Sequence, residues 1–455
     1  MDDAVGLKKN VLGFPALFAA AVGLCVGSST LVMLCQGYGI AGYGFVVATG
    51  FALLLMIFQS FSFSEMALML PRAGSVGSYT EVALGHFAAI ISVLSAYVLT
   101  QCLAAPSELA IAGMVLNRVL LPGVSPTAIA VALLVALTVL NLVGIDVFAW
   151  AQMGFTWVMI GTLVLLGCVG VFGPGNPAVH NVSPPVTLAG VLSLSALGVW
   201  LLIGAEYTCA LVEEAKNPRK HLVWAMVAGL LVVAASQLFF GLGSFRYFPF
   251  DQLAASSAPH VDLGGALMGR WGLYTVALAS LCATGSTVNT ILAAVPRMLY
   301  GMAHAGQVPA AFKWLHPRFK TPWVGVFFVA ALPLGMLLSG IATVQGIVAL
   351  TVAGCACWLV SYVIAHVNVI VLRVRYPAVE RPFRTPLYPL PQFVGIVGIL
   401  GILSNIFPEP ATKALIYKYA LLFLAAAAVY AVLWVKLRMK KELFRPVALE
   451  SALVE

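Results

Sequence analysis

The chain has 455 residues, of which 62% are hydrophobic and 9% charged, and its mean hydropathy is +1.02. This composition excludes a soluble globular protein, since such domains are about half apolar and about one quarter charged. The formal net charge of +8 does not indicate a nucleic-acid partner, because the basic residues lie between long apolar runs, where membrane topology accounts for them.

Apolar runs long enough to cross a bilayer recur along the whole chain. A membrane-spanning helix needs about 20 apolar residues. In chain order, the runs that meet this need are 14–36, 44–70, 86–116, 126–145, 150–173, 188–212, 222–245, 271–301, 323–340, 345–372, 391–407 and 415–437. The sequence therefore predicts an all-α polytopic membrane protein with about 12 transmembrane helices.

The distribution of Lys and Arg predicts the orientation of these spans. With the N-terminus placed in the cytoplasm, 19 of the 24 Lys and Arg residues fall in cytoplasmic segments. Such an excess of basic residues marks the cytoplasmic side of membrane proteins, and an odd number of spans would destroy it. We therefore expect an integral protein of a bacterial inner membrane with both termini in the cytoplasm.

Two predicted spans are interrupted near their middle by small and polar residues. The first span contains the segment 27–30, and the sixth contains Gly204 and the carboxylate of Glu206. Because the two interruptions lie five spans apart, they occupy corresponding positions in two halves of opposite orientation. Broken helices at such positions are typical of a transporter with a binding site between inverted repeats.

The two predicted repeats and the residues after them divide the chain into three parts. Residues 1–187 form the first predicted repeat of five helices, and residues 188–375 form the second. Residues 376–455 hold two further helices and a cytoplasmic tail.

Short motifs near the ends of the spans point to one family. They are Gly27-Ser28-Ser29-Thr30, Glu65-Met66 with Pro71-Arg72-Ala73-Gly74-Ser75-Val76-Gly77-Ser78-Tyr79, Glu213-Glu214-Ala215-Lys216-Asn217-Pro218-Arg219, Pro296-Arg297-Met298-Leu299-Tyr300-Gly301-Met302-Ala303 with Gly306-Gln307-Val308-Pro309, and Arg381-Pro382-Phe383-Arg384. Jointly they resemble the amino acid–polyamine–organocation transporter superfamily. The resemblance implies the leucine-transporter fold, with a 5+5 inverted repeat followed by two C-terminal helices. It also implies transport of small amino compounds by alternating access.

The sixth span carries the most distinctive residues of the predicted site. Trp200 and Glu206 lie six residues apart, with Gly204 between them. This arrangement resembles the diamine and agmatine antiporters, in which the Trp packs on the substrate and the Glu meets cationic charge or carries a proton. An ammonium group can pair with a carboxylate, and an indole face attracts a cation.

The predicted substrate site draws on several spans. Its residues are Gly27, Ser28, Ser29, Thr30, Tyr97, Gln101, Trp200, Ile203, Gly204, Glu206, Asn289 and Thr290. Glu206 is also the predicted coupling or proton-carrying residue. Glu108, a second acid inside an apolar run, is assigned either to the far amine of a diamine, to the outer vestibule, or to an interfacial position near Arg118.

Two substrate classes stay open. In the first, Glu206 binds the ammonium of a diamine, a polyamine or another organic amine, and the presence of Glu108 favours this interpretation. In the second, Glu206 is a proton carrier or structural acid, and the helix-1 amides bind an amino acid carboxylate in a proton-coupled symporter or an exchanger. Thr290, standing where the amine antiporters carry an aromatic residue, favours the second. A non-transporting nutrient sensor is a minor alternative that the short tails disfavour.

The sequence contains nothing that resembles an ATP-binding loop, a nucleophile elbow or a zinc motif. We therefore predict a transporter rather than an enzyme, with no cofactor and no metal site, driven by an ion or solute gradient. Coupling to protons or to sodium stays open. The predicted partners are a small amino compound and the lipid bilayer, with no nucleic acid and no obligatory protein partner.

Overall fold

A computed structural model describes residues 6–340 and 347–454 of the chain. The first two residues of the tenth predicted span, 345–346, lie outside this part. Apart from one isolated bridge between Leu12 and Ala215, the described residues contain helices, turns and loops and no β-strand.

Eighteen α-helices follow one another in the described ranges. They are α1 (Phe14–Cys25), α2 (Ser28–Ala41), α3 (Tyr43–Met69), α4 (Val76–Leu84), α5 (His86–Val93), α6 (Thr100–Leu103), α7 (Ala105–Val119), α8 (Pro126–Val143), α9 (Ile145–Phe172), α10 (Leu188–Trp200), α11 (Pro218–Phe245), α12 (Phe250–Ala255), α13 (Pro259–His304), α14 (Trp323–Leu338), α15 (Ile347–Arg375), α16 (Leu390–Ser404), α17 (Pro410–Leu433) and α18 (Leu449–Val454). Short π-helical and 3-10 segments extend several of them. The helix α13 contains a kink at Met268 and Gly269.

The apolar helices lie where the sequence predicts membrane spans. By length and composition, nine helical segments of the described chain can cross a membrane, and the bent pair of α1 and α2 makes ten. The apolar helices α14 and α16 are shorter, at 16 and 15 residues. Counting both gives twelve apolar segments, so the prediction of an all-helical polytopic membrane protein is confirmed.

Burial separates central spans from peripheral ones. In α13, 89% of the most apolar window is buried inside the protein, against 22% in the span that begins with α17. The helix α1 packs against α9, α11 and α13. The two broken spans and α13 therefore form the centre of the bundle, and α17 lies at its edge.

Both predicted breaks are present in the structure. The helices α1 and α2 meet at an angle of 54° across the two-residue break that ends at Gly27. The sixth span leaves α-helical geometry after Trp200 and continues from Ala205 to Glu214 as a 3-10 helix. At Gly204 the backbone has φ +118°, a conformation that suits glycine because it has no Cβ.

Substitution of Gly204 by alanine is expected to destabilise the protein. A Cβ at this position would overlap the side chain of Leu24 on α1, and a non-glycine residue at positive φ adds about 1–3 kcal/mol of strain. The melting temperature of purified Gly204→Ala in detergent should therefore fall clearly below that of the wild type. Gly50→Ala, where a Cβ meets no neighbouring atom, is the control, and equal melting temperatures for the two variants would contradict the prediction.

Candidate functional site

The break in the first span exposes the N-terminus of α2 to a buried carboxylate. Glu108 on α7 accepts a hydrogen bond from the backbone N–H of Ser29 at 3.0 Å, and its other oxygen accepts one from the Ser29 hydroxyl. Glu108 is only 2% exposed. Negative charge at a helix N-terminus is stabilised by the helix dipole and the free N–H groups, so Glu108 caps α2.

Thr284 on α13 holds the backbone around this cap. The Thr284 hydroxyl donates to the carbonyl oxygen of Glu108 at 3.2 Å and also lies 2.8 Å from the Ser28 hydroxyl. Gly27 packs so closely against the Glu108 carboxylate that a Cβ there would overlap it. The position of the carboxylate is thus fixed by both the broken helix and α13.

The second buried carboxylate, Glu206, lies in an aromatic cluster. Its Oε1 atom accepts hydrogen bonds from the indole N–H of Trp358 at 3.0 Å and from the Tyr97 hydroxyl at 3.4 Å. The ring centroids of Tyr97, Tyr207 and Trp358 lie 5.1 to 5.8 Å apart. Glu206 is therefore held by neutral donors and surrounded by aromatic faces.

The side chains of Trp200 and Trp358 connect Glu108 with Glu206. Trp200 donates from its indole N–H to the Ser29 hydroxyl at 3.0 Å, and Ser29 in turn donates to Glu108. The Trp200 and Trp358 rings meet edge to face at 6.3 Å. Glu108 and Glu206 thus lie at the two ends of one connected cluster.

A small cavity of about 20 Å³ opens inside this cluster. Its lining residues, drawn from several helices, are Leu24, Thr100, Gln101, Ala104, Ala105, Glu108, Trp200, Ile203, Thr287, Ile291 and Trp358. Such a volume has room for about one water molecule. The structure therefore has the site in a closed form that must widen to admit a solute.

No ion pair reaches either acid within the part of the chain that the structure describes. The ion pairs there involve Glu65, Glu81, Asp146, Glu214, Asp262 and Glu380. A carboxylate buried in protein is costly unless a counter-charge or a proton neutralises it. Each of the two acids therefore needs either a proton or a positively charged group beside it.

A second polar network joins α1, α9 and α13 beside the break. The side-chain N–H groups of Gln152 donate to the Ala19 carbonyl at 3.1 Å and to the Ser286 hydroxyl at 2.7 Å. Its side-chain oxygen accepts from Asn289 at 2.8 Å, and Asn141 donates to Asn289 at the same distance. A neutral amide thus already occupies the space between the helix-1 carbonyl and the α13 hydroxyl.

The structure brings most of the predicted site residues together. The residues that meet around the cavity, at the two breaks or at the Glu206 carboxylate are Gly27, Ser28, Ser29, Thr30, Tyr97, Gln101, Trp200, Ile203, Gly204 and Glu206. Asn289 instead bonds to Gln152 and Asn141, and Thr290 is buried outside the cavity lining. Glu108 caps α2, and Arg118 pairs with Asp262 at 3.3 Å.

Sequence reasoning missed Trp358, Tyr207 and Gln152. Trp358 lies 152 positions from Glu206 in the chain, and nothing in the local sequence connects the two. Gln152 carried a usable signal, because a side-chain amide inside a membrane span must find hydrogen-bond partners.

Comparison with known proteins identifies the family. A family model described as amino acid permease matches residues 12–433. The chain belongs to this family.

Relatives of the chain carry several substrate names. The chain is 25% identical over 418 residues to the branched-chain amino acid permease BcaP of Bacillus subtilis, with 88% of each chain covered. It is 25% identical over 425 residues to the serine/threonine exchanger SteT of Bacillus subtilis, covering 88% of this chain and 91% of that one. It is 27% identical over 326 residues to the polyamine transporter RMV1 of Arabidopsis thaliana, covering 68% and 61%.

A solved structure supports the fold of the chain. The chain resembles a Na⁺-coupled sialic acid symporter with a TM-score of 0.56 at 10% identity, over 86% of this chain and 89% of that one. At this identity the likeness shows the fold alone. The predicted transporter fold is confirmed, and the division into inverted halves at residue 187 stays a prediction.

Proposed function

We propose that this secondary transporter carries organic amines, with di- and polyamines among them, and that the substrate ammonium binds at Glu206. One observation carries the proposal: Glu206 is buried, has only neutral hydrogen-bond donors and lies against the rings of Tyr97, Tyr207 and Trp358. A carboxylate and aromatic faces together attract an alkylammonium ion. The similarity to a protein named as a polyamine transporter supports the same substrate class.

Amino acid transport is the second candidate, and the names of two relatives favour it. In this version the substrate carboxylate binds at the N-terminus of α2, and Glu206 carries a proton or has a structural role. The carboxylate of Glu108 stands at that helix end, so an amino acid would have to displace it.

Uptake into proteoliposomes distinguishes the two candidates. Purified protein is reconstituted, and radiolabelled putrescine and leucine are offered to empty vesicles and to vesicles preloaded with the unlabelled compound. Saturable putrescine uptake supports the amine proposal, and a dependence on preloading indicates exchange. Leucine uptake without any amine uptake would overturn the proposal in favour of the second candidate.

We also propose that the basic ends of the spans face the cytoplasm of a bacterial cell, as the bias of Lys and Arg predicts. Cysteine labelling from outside the cell tests this orientation. The native cysteines are first replaced, and Asn181 and Lys441 are then changed singly to cysteine. A cysteine at position 181 should be labelled from outside, and one at position 441 should be protected.

Transport is expected to be independent of sodium. The Ala19 carbonyl and the Ser286 hydroxyl already accept hydrogen bonds from Gln152, and an amide N–H at this place repels a cation that needs oxygen ligands. Replacing sodium with potassium in the uptake medium should therefore leave amine uptake unchanged. Uptake that disappears without sodium, and returns when sodium is restored, would contradict this prediction.

A further inference from the structure

The carboxylate of Glu108 occupies a position that would otherwise suit an anionic ligand. The helix α2 has 14 residues, and its first N–H groups point into the protein interior at the break. The N-terminus of a broken membrane helix is a binding position for the anionic group of a substrate. Here Glu108 fills that position with both of its oxygens, on the N–H and on the hydroxyl of Ser29.

A ligand carboxylate cannot share this helix end with Glu108. The two negative charges would stand next to each other in a buried space, where like charges repel strongly. Gly27 packs against the Glu108 carboxylate, Thr284 bonds the Glu108 backbone carbonyl, and Ser29 bonds both carboxylate oxygens. The charge of Glu108 therefore acts against any ligand that carries a carboxyl group.

The remainder of the cavity favours a hydrogen-bond donor. Gln101 lines the cavity and is 1% exposed, and its side-chain oxygen has no hydrogen-bond partner among the described residues. Buried polar atoms are normally paired. The Tyr207 side chain interacts with Gln101, and an amide oxygen has two lone pairs, so it can also accept from an N–H group of a ligand. The acceptors Gln101 and Glu108 on the cavity wall, with Glu206 bonded to Trp358 of the same wall, suit an amine better than a zwitterion.

We propose that Glu108 is a specificity-determining residue whose side chain takes the place of a substrate carboxyl group. The site therefore selects an amine over its parent amino acid, which carries that additional carboxyl group. This inference rests on the proposed binding of the ammonium at Glu206. Glu108 excludes the amino acid and need not touch the amine.

The test compares amines with their parent amino acids. Putrescine is paired with ornithine, isoamylamine with leucine, and tyramine with tyrosine, and each compound is titrated calorimetrically into the purified full-length protein. In the wild type, each amine is expected to bind at least about tenfold more tightly than its parent amino acid, because like charges at close range discriminate strongly. In Glu108→Ala the preference for the amine should fall by about tenfold or reverse.

Two further variants keep the outcome interpretable. Glu108→Gln preserves the size of the side chain without its charge, so it should shift the preference in the same direction, and it carries the test if Glu108→Ala does not fold. Glu380→Ala removes an exposed carboxylate that lies 3.6 Å from Arg219, and it should leave the preference unchanged.

The results separate this inference from the proposed function. Folded Glu108 variants with the wild-type preference would overturn the role of Glu108, and so would a wild type that binds the parent amino acids more tightly. Amine binding that survives in Glu206→Gln would overturn the ammonium site instead, whatever the Glu108 variants do. A wild type that binds no member of any pair would overturn both.

Discussion

Substitution of Glu206 by glutamine is expected to abolish amine binding and transport while the protein stays folded. Glutamine has nearly the same shape and can still accept a hydrogen bond from Trp358, which donates to Glu206 at 3.0 Å. The substitution removes only the negative charge of the side chain. Removing one partner of a buried ion pair costs about 3–5 kcal/mol, and each 1.4 kcal/mol corresponds to about tenfold in affinity. Amine affinity should therefore fall by at least about a hundredfold.

The same variant also tests the role of Glu206 as a proton carrier. If Glu206 only carries a proton, Glu206→Gln would bind the substrate with unchanged affinity and would lose only uptake driven by a pH gradient. The measurement is the dissociation constant of putrescine together with counterflow, which needs no proton gradient. Loss of both identifies Glu206 as the ammonium site. Glu380→Gln is the control, because its carboxylate is exposed.

The breaks were the features of the site that could be predicted most directly from the sequence. Glycine next to polar residues inside an apolar run also fits close helix packing, but the corresponding positions of the two interruptions favour breaks. The structure breaks the helices next to Gly27 and at Gly204. The spans were equally accessible, because about 20 apolar residues are required wherever a helix crosses a bilayer. Both signals are local in the sequence.

The rotation of each helix about its axis could not be predicted in the same way. Thr287 and Ile291 line the cavity, and Asn289 faces Gln152. Residues four apart share a helix face, whereas residues two apart point in different directions. A central helix such as α13 is apolar on most sides, so hydrophobic periodicity does not tell which face meets the site. In this structure Asn289 bonds to Gln152, and its role as a ligand residue stays a prediction.

The role of Glu108 shows a second limit of sequence reasoning. An acid in an apolar run indicates function, but its partner is decided by contacts between distant segments. Ser29 lies 79 positions from Glu108, and no local pattern distinguishes a helix cap from a vestibule acid. The cap places Glu108 on the wall of the cavity, and Trp358 on the same wall donates to Glu206; this arrangement of two acids is the basis of the proposed amine substrate.

The ion pair between Arg297 and Glu214 is expected to have the largest effect on stability. Arg297 on α13 bonds to both carboxylate oxygens of Glu214, one of them at 2.9 Å, and the two side chains are 3% and 1% exposed. The backbone carbonyl of Glu214 also accepts the N–H groups of Val11 and Leu12. The pair thus ties the end of the sixth span to α13 next to the N-terminal segment.

Arg297→Met should therefore leave a buried carboxylate without a counter-charge, which costs about 3–5 kcal/mol, and the melting temperature in detergent should fall sharply. The double variant Arg297→Met with Glu214→Leu should recover most of that loss, because no unpaired charge remains. Arg219→Met is the matched control: its ion pair with Glu380 is exposed, and such pairs contribute about 0–1 kcal/mol. A melting temperature of Arg297→Met equal to that of Arg219→Met would show that the buried pair does not hold these two segments together.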